Sequence, residues 1–464
     1  MKISGLLPAI AVVFLHHASS ALALEFHGYL RSGIGFSDGD TDQVCFRAYG
    51  REGFSQKHRL GNECDTYLET VFVHDFLERT DDVKQAWARG QVTFSFTTLG
   101  HRDYEPTTPE IAATLNPDTN AIDVRSSTQL EFALREAFVI VGNILAEDVK
   151  LWMGKRYYRR KDIHMLDFYQ LDSSGPGGGI EDLPVGLGKL HLALFRNAPP
   201  ADGPAQTTID MRWTIDQVGP GNLETVVLLA RAGGRHAQTG EKLYETIEGY
   251  SAQLFYGHAF TASGWNTLML QYGAGLFGAR GDWQSSLIDQ RGAWGSQNIP
   301  LNNRDLLRQR QGSSTIRVID HLVFNQLGDS WSLGVLAMYQ NVNYNGELNS
   351  NGSAIPNKIE QTYGLRPLYY FSEQYSLMSE LGYSRVDNSI YQSTSNTYQN
   401  SELGKVTLAT VISPKKGYWF RPQLRVFATY AEWNRHAKGL VAGNTVYADQ
   451  TSGYSAGMQL EAWW

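Results

Sequence analysis

The last eleven residues, Tyr454 to Trp464, constrain the fold of this chain more than any other stretch. Taken alternately, one set is Tyr454, Ala456, Met458, Leu460, Ala462 and Trp464, and the other is Ser455, Gly457, Gln459, Glu461 and Trp463. The first set is apolar with an aromatic at each end. The second is small and polar, with one tryptophan among it. Successive side chains of a β-strand point to opposite faces. One face is therefore suited to an apolar medium and the other to water. A transmembrane barrel strand needs that division, with aromatics where the membrane meets water. An edge strand of a soluble sheet can alternate in the same way, so other segments have to decide.

The pattern recurs along the whole chain. Near the start, Glu25, His27, Tyr29 and Arg31 share one face, and Phe26, Leu30, Ile34 and Phe36 share the other. Segment 129–140 sets Leu130, Phe132, Leu134, Phe138 and Ile140 against Gln129, Glu131 and Arg135. Segment 418–430 sets Phe420, Leu424, Val426 and Tyr430 against Arg421, Gln423, Arg425 and Thr429. Clusters of Gly, Asn, Asp and Ser separate such segments. These spacings predict one continuous β structure without an internal domain boundary. Pro367 and Pro422 fall within such segments and predict an edge or a bulge there, because proline cannot donate to a ladder. The connections are of two kinds. Gly328-Asp329 is tight, whereas 37–59, 101–128, 286–311 and 343–358 are long. Short turns at one end and long loops at the other is the outer-membrane barrel arrangement.

Composition narrows the class. At 464 residues the chain could form two or three domains or one large barrel. Its mean hydropathy of −0.32 would read as water-soluble, but a barrel strand exposes only every second residue to lipid. No run of about 20 apolar residues is present, so no transmembrane helix is expected. The net charge of −7 argues against a nucleic-acid partner, which would need a basic face. Lys2, the apolar run 6–15 and Ala21-Leu22-Ala23 read as a secretory signal over residues 1–23, with the mature protein over 24–464. After export, the two cysteines, Cys45 and Cys64, are expected to form a disulfide, worth roughly 3 kcal/mol by chain entropy. Two free thiols are the alternative. A zinc site lacks a matching histidine pair.

The inward faces mix aromatic and ionisable residues. Tyr29 stands with Arg31, and Asp65 and Glu69 flank Tyr67; Arg135 and Trp463 sit among small and polar neighbours. Sugars give aromatics a reason to line water. The C–H face of a pyranose stacks on an aromatic plane while its hydroxyls need paired donors and acceptors. The alternative for any one tyrosine is a place in an interface girdle. Block 154–182 carries Lys155, Arg156, Arg159, Arg160 and Lys161, which alone would read as a solvated face or a lipopolysaccharide-phosphate patch. Asp162, Asp167, Tyr169 and the turn Gly175-Pro176-Gly177 are interleaved with these charges. A glycoside hydrolase would need two carboxylates, and Glu69, Asp162 and Asp167 could supply them. Each has an arginine nearby, however, and such pairing lowers a carboxylate pKa where a general acid needs a raised one. There is no nucleophile elbow, metal-ligand spacing or phosphate loop. The expectation is a pore without catalytic residues, metal or cofactor.

The stretches FHGYLRSGIGF (26–36), HRLGNECDTYLE (58–69), GKRYYRRKDIHMLDFYQLDSSGPGGGIED (154–182), RPQLRVFATYAEW (421–433) and MQLEAWW (458–464) resemble the maltoporin family. The likeness runs from the mature start to the last residue. It implies an all-β, transmembrane antiparallel β-barrel of 18 strands in the bacterial outer membrane, with an inward-folded constriction loop. It further implies a homotrimer surrounded by outer-membrane lipid and lipopolysaccharide, serving in places as a phage receptor. The implied activity is facilitated diffusion of maltose and maltodextrins over an aromatic slide flanked by polar tracks. Position by position, the slide matches at Tyr29, Tyr67 and Trp463. Tyr104 stands where the family has Trp, at a residue that reaches into the neighbouring subunit's pore. The polar tracks match at Arg31, Arg59, Glu69, Arg135, Arg160, Asp162, Asp167 and Tyr169, and Cys45 and Cys64 match the first-loop disulfide. Two slide positions depart, with a family Phe falling near Leu268 and a family Trp near Glu360. Less flat aromatic area weakens stacking, so the departures imply weaker maltodextrin binding or another sugar, such as sucrose or a β-glucoside. A general diffusion porin is the further alternative. Glu136, on a face read as lipid-facing, is expected to mark a subunit contact, because a lone carboxylate beside lipid is costly.

Overall fold

The computed structural model describes residues 24–464 apart from 51–52, 55, 81, 83, 99–109, 117–120, 128–129, 198–205, 233–245, 279–311, 347, 349–351, 393 and 442–445. The expected signal (1–23), Tyr104 and the loop 286–311 lie outside the described residues.

Period-two alternation produces long antiparallel strands, each paired with its neighbours in chain order. The sheet has 19 strands. One of them, Thr41–Asp42, is a two-residue appendage folded back on the first strand. The rest is an 18-strand barrel. Closure comes from Leu24–Ser37, which pairs with the last strand, Ser452–Trp463, on one side and with Thr66–Leu77 on the other. In register, Tyr29 faces Trp463 and Arg31 faces Glu461 across the first ladder. Across the second, Tyr29 faces Glu69 and Arg31 faces Tyr67. Closure leaves no unpaired edge, the condition for a sheet to stand in hydrocarbon.

The outward face is apolar as the alternation requires. Phe26, Ile34, Phe36, Leu424, Val426, Tyr430, Tyr454, Met458 and Trp464 are all exposed on it, while Gln423, Arg425, Ser455, Gln459 and Glu461 are buried inside. Aromatics gather at the short-turn end, where Phe26 meets Trp464 at 5.6 Å and Trp331 meets Tyr369 at 4.8 Å between ring centroids. The tight turns include 186–187, 219–220, 262–263 and 328–330. The opposite end carries the connections 38–65, 344–357 and 434–451, together with a hairpin of Glu110–Asn116 on Ala121–Ser127.

The structure corrects several expectations. Thr93 pairs with Glu136 but Phe94 pairs with Leu134, so Arg135 is the extra residue of a β-bulge. A bulge advances the phase by one residue. Phe132 and Leu134 remain outward, but beyond the bulge Glu136, Phe138 and Ile140 turn inward and are buried. Glu136 therefore does not face lipid. It accepts from Gln91 and Thr93, each at 2.7 Å, and from the Tyr157 backbone at 2.8 Å. Pro367 lies inside Lys358–Tyr370 without a bulge. The ladder to the next strand skips positions 366 and 367 and resumes in the same register. Pro422 precedes its strand, which starts at Gln423, so 418–422 belongs to a connection. Finally, the lumen is not uniformly polar. Val226, Leu228, Phe255, Met269, Ile319, Leu336 and Met338 face inward and form one apolar wall.

Val426 is 56% exposed on the outer wall. Val426→Arg should lower the unfolding free energy, by at most ~2–4 kcal/mol, the cost of an arginine facing the membrane interior. Urea titration of vesicle-inserted protein measures this, and Val426→Leu should be close to neutral.

Candidate functional site

Two segments fold into the barrel, and different forces seat them. The first is the connection 43–65, tied by the Cys45–Cys64 disulfide. Its backbone is held by buried polar and charged side chains of strands Tyr375–Gln392, Thr397–Ile412 and Ser452–Trp463. The Leu60 N–H donates to Glu380 at 3.0 Å, and the Leu60 carbonyl accepts from Lys405. The Glu63 carbonyl accepts from Gln459 at 3.3 Å. His58 occupies a socket over Gly382, where a Cβ would stand 2.2 Å from the ring, and its Nε2 lies 3.1 Å from the Ser384 hydroxyl.

The second is a hairpin. Strands Lys150–Ile163 and Phe168–Val185 run past the wall and turn inside the lumen at 164–167. Its tip residues, Ile163, Met165, Leu166 and Leu171, pack on the apolar wall. Burying a side chain of that size contributes roughly 1.5–3 kcal/mol, so this contact is the main anchor of the hairpin. Met165 fits over Gly334 and Gly364, where any Cβ would collide with it. Arg212 donates to the Arg159 carbonyl at 2.7 Å while paired with Asp210 at 2.7 Å. The two insertions meet where Arg59 N–H donates to the Met165 carbonyl at 2.9 Å and Lys57 pairs with Asp167 at 2.7 Å. Block 154–182 is thus the inward-folded constriction the sequence indicated, with a second constriction beside it.

Between the insertions and strands Leu24–Ser37, Thr66–Leu77 and Leu130–Gly142 lies a charged and aromatic lane. Arg31 reaches Asp65 at 2.7 Å, Asp167 at 3.1 Å and Glu63 at 3.3 Å. Arg59 pairs with Glu63 at 2.5 Å and Glu461 at 2.8 Å. Tyr29 accepts from Arg59 and donates to Glu461 at 3.1 Å. Glu69 accepts from Tyr67 at 2.5 Å and Tyr157 at 3.2 Å. Arg135 donates to Tyr157, and the Arg160 guanidinium lies over Tyr157 and Tyr169, 3.4 and 4.4 Å from their centroids. Asp162 faces Tyr169 across the hairpin ladder. Every described residue of the expected polar tracks therefore lines one connected region. Glu461 is its hub, fully buried, and also receives Arg425 at 2.6 Å, Arg421 at 2.7 Å and His164 at 2.8 Å. Several charge-assisted bonds offset the desolvation of so deep a carboxylate.

Burial would raise Asp167, but Lys57, Arg59 and Arg31 hold its carboxyl well below the usual range. Burial likewise opposes the charge on Arg59, and Glu461 and Glu63 outweigh it. The two histidines go the other way. Burial pushes His58 down to about 4 and His164 down to about 3.

The aromatic planes form a line. Tyr67 meets Tyr29 at 6.0 Å, and Tyr29 stacks on Trp463 at 6.5 Å with 19° between planes. His164 then lies edge-on to Trp463 at 6.0 Å and to Trp419 at 5.3 Å, and Trp419 stacks on Trp265 at 6.3 Å and 22°. Sequence reading found the first three rings and missed Trp419 and Trp265. Trp419 comes from a connection, where no periodicity points to the lumen. Trp265 could have been found from its strand, because it shares parity with the buried inward residues Met269 and Gln271. Leu268 has the opposite parity and faces outward with Leu270 and Tyr272, so it is not a slide position. Glu360 does face inward, but it accepts from the Gln56 backbone at 3.4 Å and so braces the first insertion. Among the described residues no group of three or more His, Cys, Asp or Glu could hold a metal ion.

A closed 18-strand barrel with an apolar belt and a lumen narrowed by its own insertions defines an outer-membrane diffusion porin. The LamB porin family model matches residues 24–464, and the chain belongs to that family. Solved porins are similar at low identity. OpdK from Pseudomonas aeruginosa with vanillate is 8% identical, with 95% of this chain and 99% of that chain covered and a TM-score of 0.45. OccK9 (OpdG) from the same organism is 10% identical, covering 95% and 98%, with a TM-score of 0.47. OccAB4 from Acinetobacter baumannii is 10% identical, with the same coverages and a TM-score of 0.45.

His58 and His164 are neutral in the folded protein and have pKa values below the ordinary 6.5. The unfolded chain therefore takes up protons first as pH falls, and the stability present above pH 6.5 is lost on the way down to about 4. The loss attributable to His58 should be on the order of 2–3 kcal/mol. His58→Gln should flatten the thermal-unfolding midpoint between pH 7 and 4 relative to wild type. An unchanged pH profile would show that His58 is not held neutral.

Proposed function

We propose that this porin carries maltose and maltodextrins across the outer membrane by facilitated diffusion. The observation that supports the reading is the line Tyr67, Tyr29, Trp463, Trp419, Trp265, flanked along its first half by Arg31, Glu69, Arg135 and Arg160. A linear glucan can rest its apolar faces on successive rings while its hydroxyls exchange water for the flanking donors and acceptors. The flanking groups are held by one another before sugar arrives, so little ordering is required on binding. Several weak, similar stations suit conduction better than one tight site, because the sugar must also leave. Departures at the two family slide positions implied weaker hold toward the periplasmic end. In this reading, Trp419 and Trp265 provide the missing planes from other elements, and the hold persists to the exit. We also propose that the barrel functions as a homotrimer, with the region of Tyr104 serving the neighbouring pore.

The test is conductance of single assemblies in a planar bilayer during titration with maltotriose, sucrose and cellobiose. Saturable maltotriose block in three equal steps is expected. Trp463→Ala and Trp419→Ala should each weaken that block about threefold to tenfold, the worth of one aromatic contact. Block by sucrose or cellobiose alone would keep the porin and move the substrate. Large conductance that no sugar blocks would make this a general diffusion porin.

A further inference from the structure

The outer wall carries a second built feature, unrelated to the lumen. At the long-loop end of strands Gly188–Asn197, Gln206–Val218, Gly221–Ala232 and Ile247–Thr261, a groove of about 970 Å³ opens outward. Register aligns its lining in two rows. Arg196, Thr207, Arg231 and Glu248 form one row across the four strands. Ile209, Leu229 and Tyr250 form the next row toward the short-turn end, continued just outside the groove by Leu194, all exposed. A charged row thus sits directly beside an apolar one, on the side nearer the long loops.

The charges in this row are not balanced among themselves. Arg196 donates to the Thr207 hydroxyl at 2.6 Å and has no carboxylate partner among the described residues. That bond draws its guanidinium inward, toward Arg231 on the next strand but one. Arg231 has Glu248 only at 3.7 Å, and both side chains are 67% exposed. Backbone spacing puts the two arginines ~10 Å apart, within reach of a common anion for side chains of that length. Arg385 offers a contrast on the opposite side of the barrel. It too is near the long-loop end, but it is matched by Asp387 at 2.7 Å and Glu402 at 3.3 Å.

We propose that this groove binds the phosphorylated headgroup of an outer-leaflet glycolipid. The two guanidiniums engage a phosphate, for which their planar forks are suited. Leu194, Ile209, Leu229 and Tyr250 receive the first carbons of an acyl chain. Charge complementarity selects this occupant: a neutral lipid would leave Arg196 unpaired at the rim, and a free phosphate would leave the apolar row bare.

The experiment is native mass spectrometry of the detergent-solubilised full barrel, titrated with bisphosphorylated lipid A, dephosphorylated lipid A and inorganic phosphate. Wild type should retain the bisphosphorylated lipid. Arg196→Ala/Arg231→Ala should weaken retention about tenfold or more, and Arg385→Ala should not. Unaltered single-channel conductance confirms that the double variant is folded, since the groove lies outside the pore. Equal retention of the dephosphorylated lipid, or an equal loss with Arg385→Ala, would overturn the proposal. Displacement of the lipid by equimolar inorganic phosphate would also overturn it, in favour of a simple anion site.

Discussion

Everything in this molecule depends on one ladder, between the first strand and the last. Hydrocarbon offers no partner for a peptide N–H or carbonyl, so a sheet persists there only if its two ends meet. The pairing of Leu24–Ser37 with Ser452–Trp463 meets that demand. It also sets the chemistry inside. Closure brings Tyr29 beside Trp463 and Arg31 beside Glu461, residues from opposite ends of the chain. The aromatic line and the charge hub are thus both products of the seam that makes the barrel possible.

The lumen is divided by two kinds of force. The hairpin is held mainly by apolar burial against Val226, Leu228, Phe255, Met269, Ile319, Leu336 and Met338, which is indifferent to external ions. The first insertion is held by buried charge, with Glu380, Lys405 and Glu461 gripping its backbone and side chains. Buried pairs are screened far less than surface pairs. The lane between these insertions therefore keeps its shape across the changes in ionic strength that a cell surface meets. The glycine sockets at 334, 364 and 382 serve the same end, since they let the insertions approach the wall more closely than any side chain would allow.

Much of this was legible in the residues. Strict alternation gave the first strand, the last strand and 423–430 with the correct faces, because each runs without interruption. The mixed block 154–182 pointed to a constriction through its resemblance to the family, with its interleaved aspartates and tyrosine fitting that reading better than a solvated face. Alternation failed where one residue broke its phase. The bulge at Arg135 turned Glu136, Phe138 and Ile140 to the other side, and a period-two reading cannot see an inserted residue. The apolar lumen wall was hidden for a related reason: a strand with both faces apolar carries no alternation to orient it. Trp419 was out of reach because it sits in a connection whose path is set by tertiary contacts. The chain also holds Tyr29, Tyr67 and Trp463 together by closure, which only a family pattern could bring to mind from sequence.

The seating of the first insertion bears on the order in which the pore is made. Its hydrogen bonds to strands late in the chain, from Gln56–Glu360 to Glu63–Gln459, join residues between 304 and 396 positions apart. Such contacts carry the greatest loop-closure cost and cannot form until the strands between them are in place. These contacts can complete the seating of the first insertion only once the closing strands are present. The Glu380–Lys405–Leu60 grip thus ties the width of the pore to the completeness of the barrel around it.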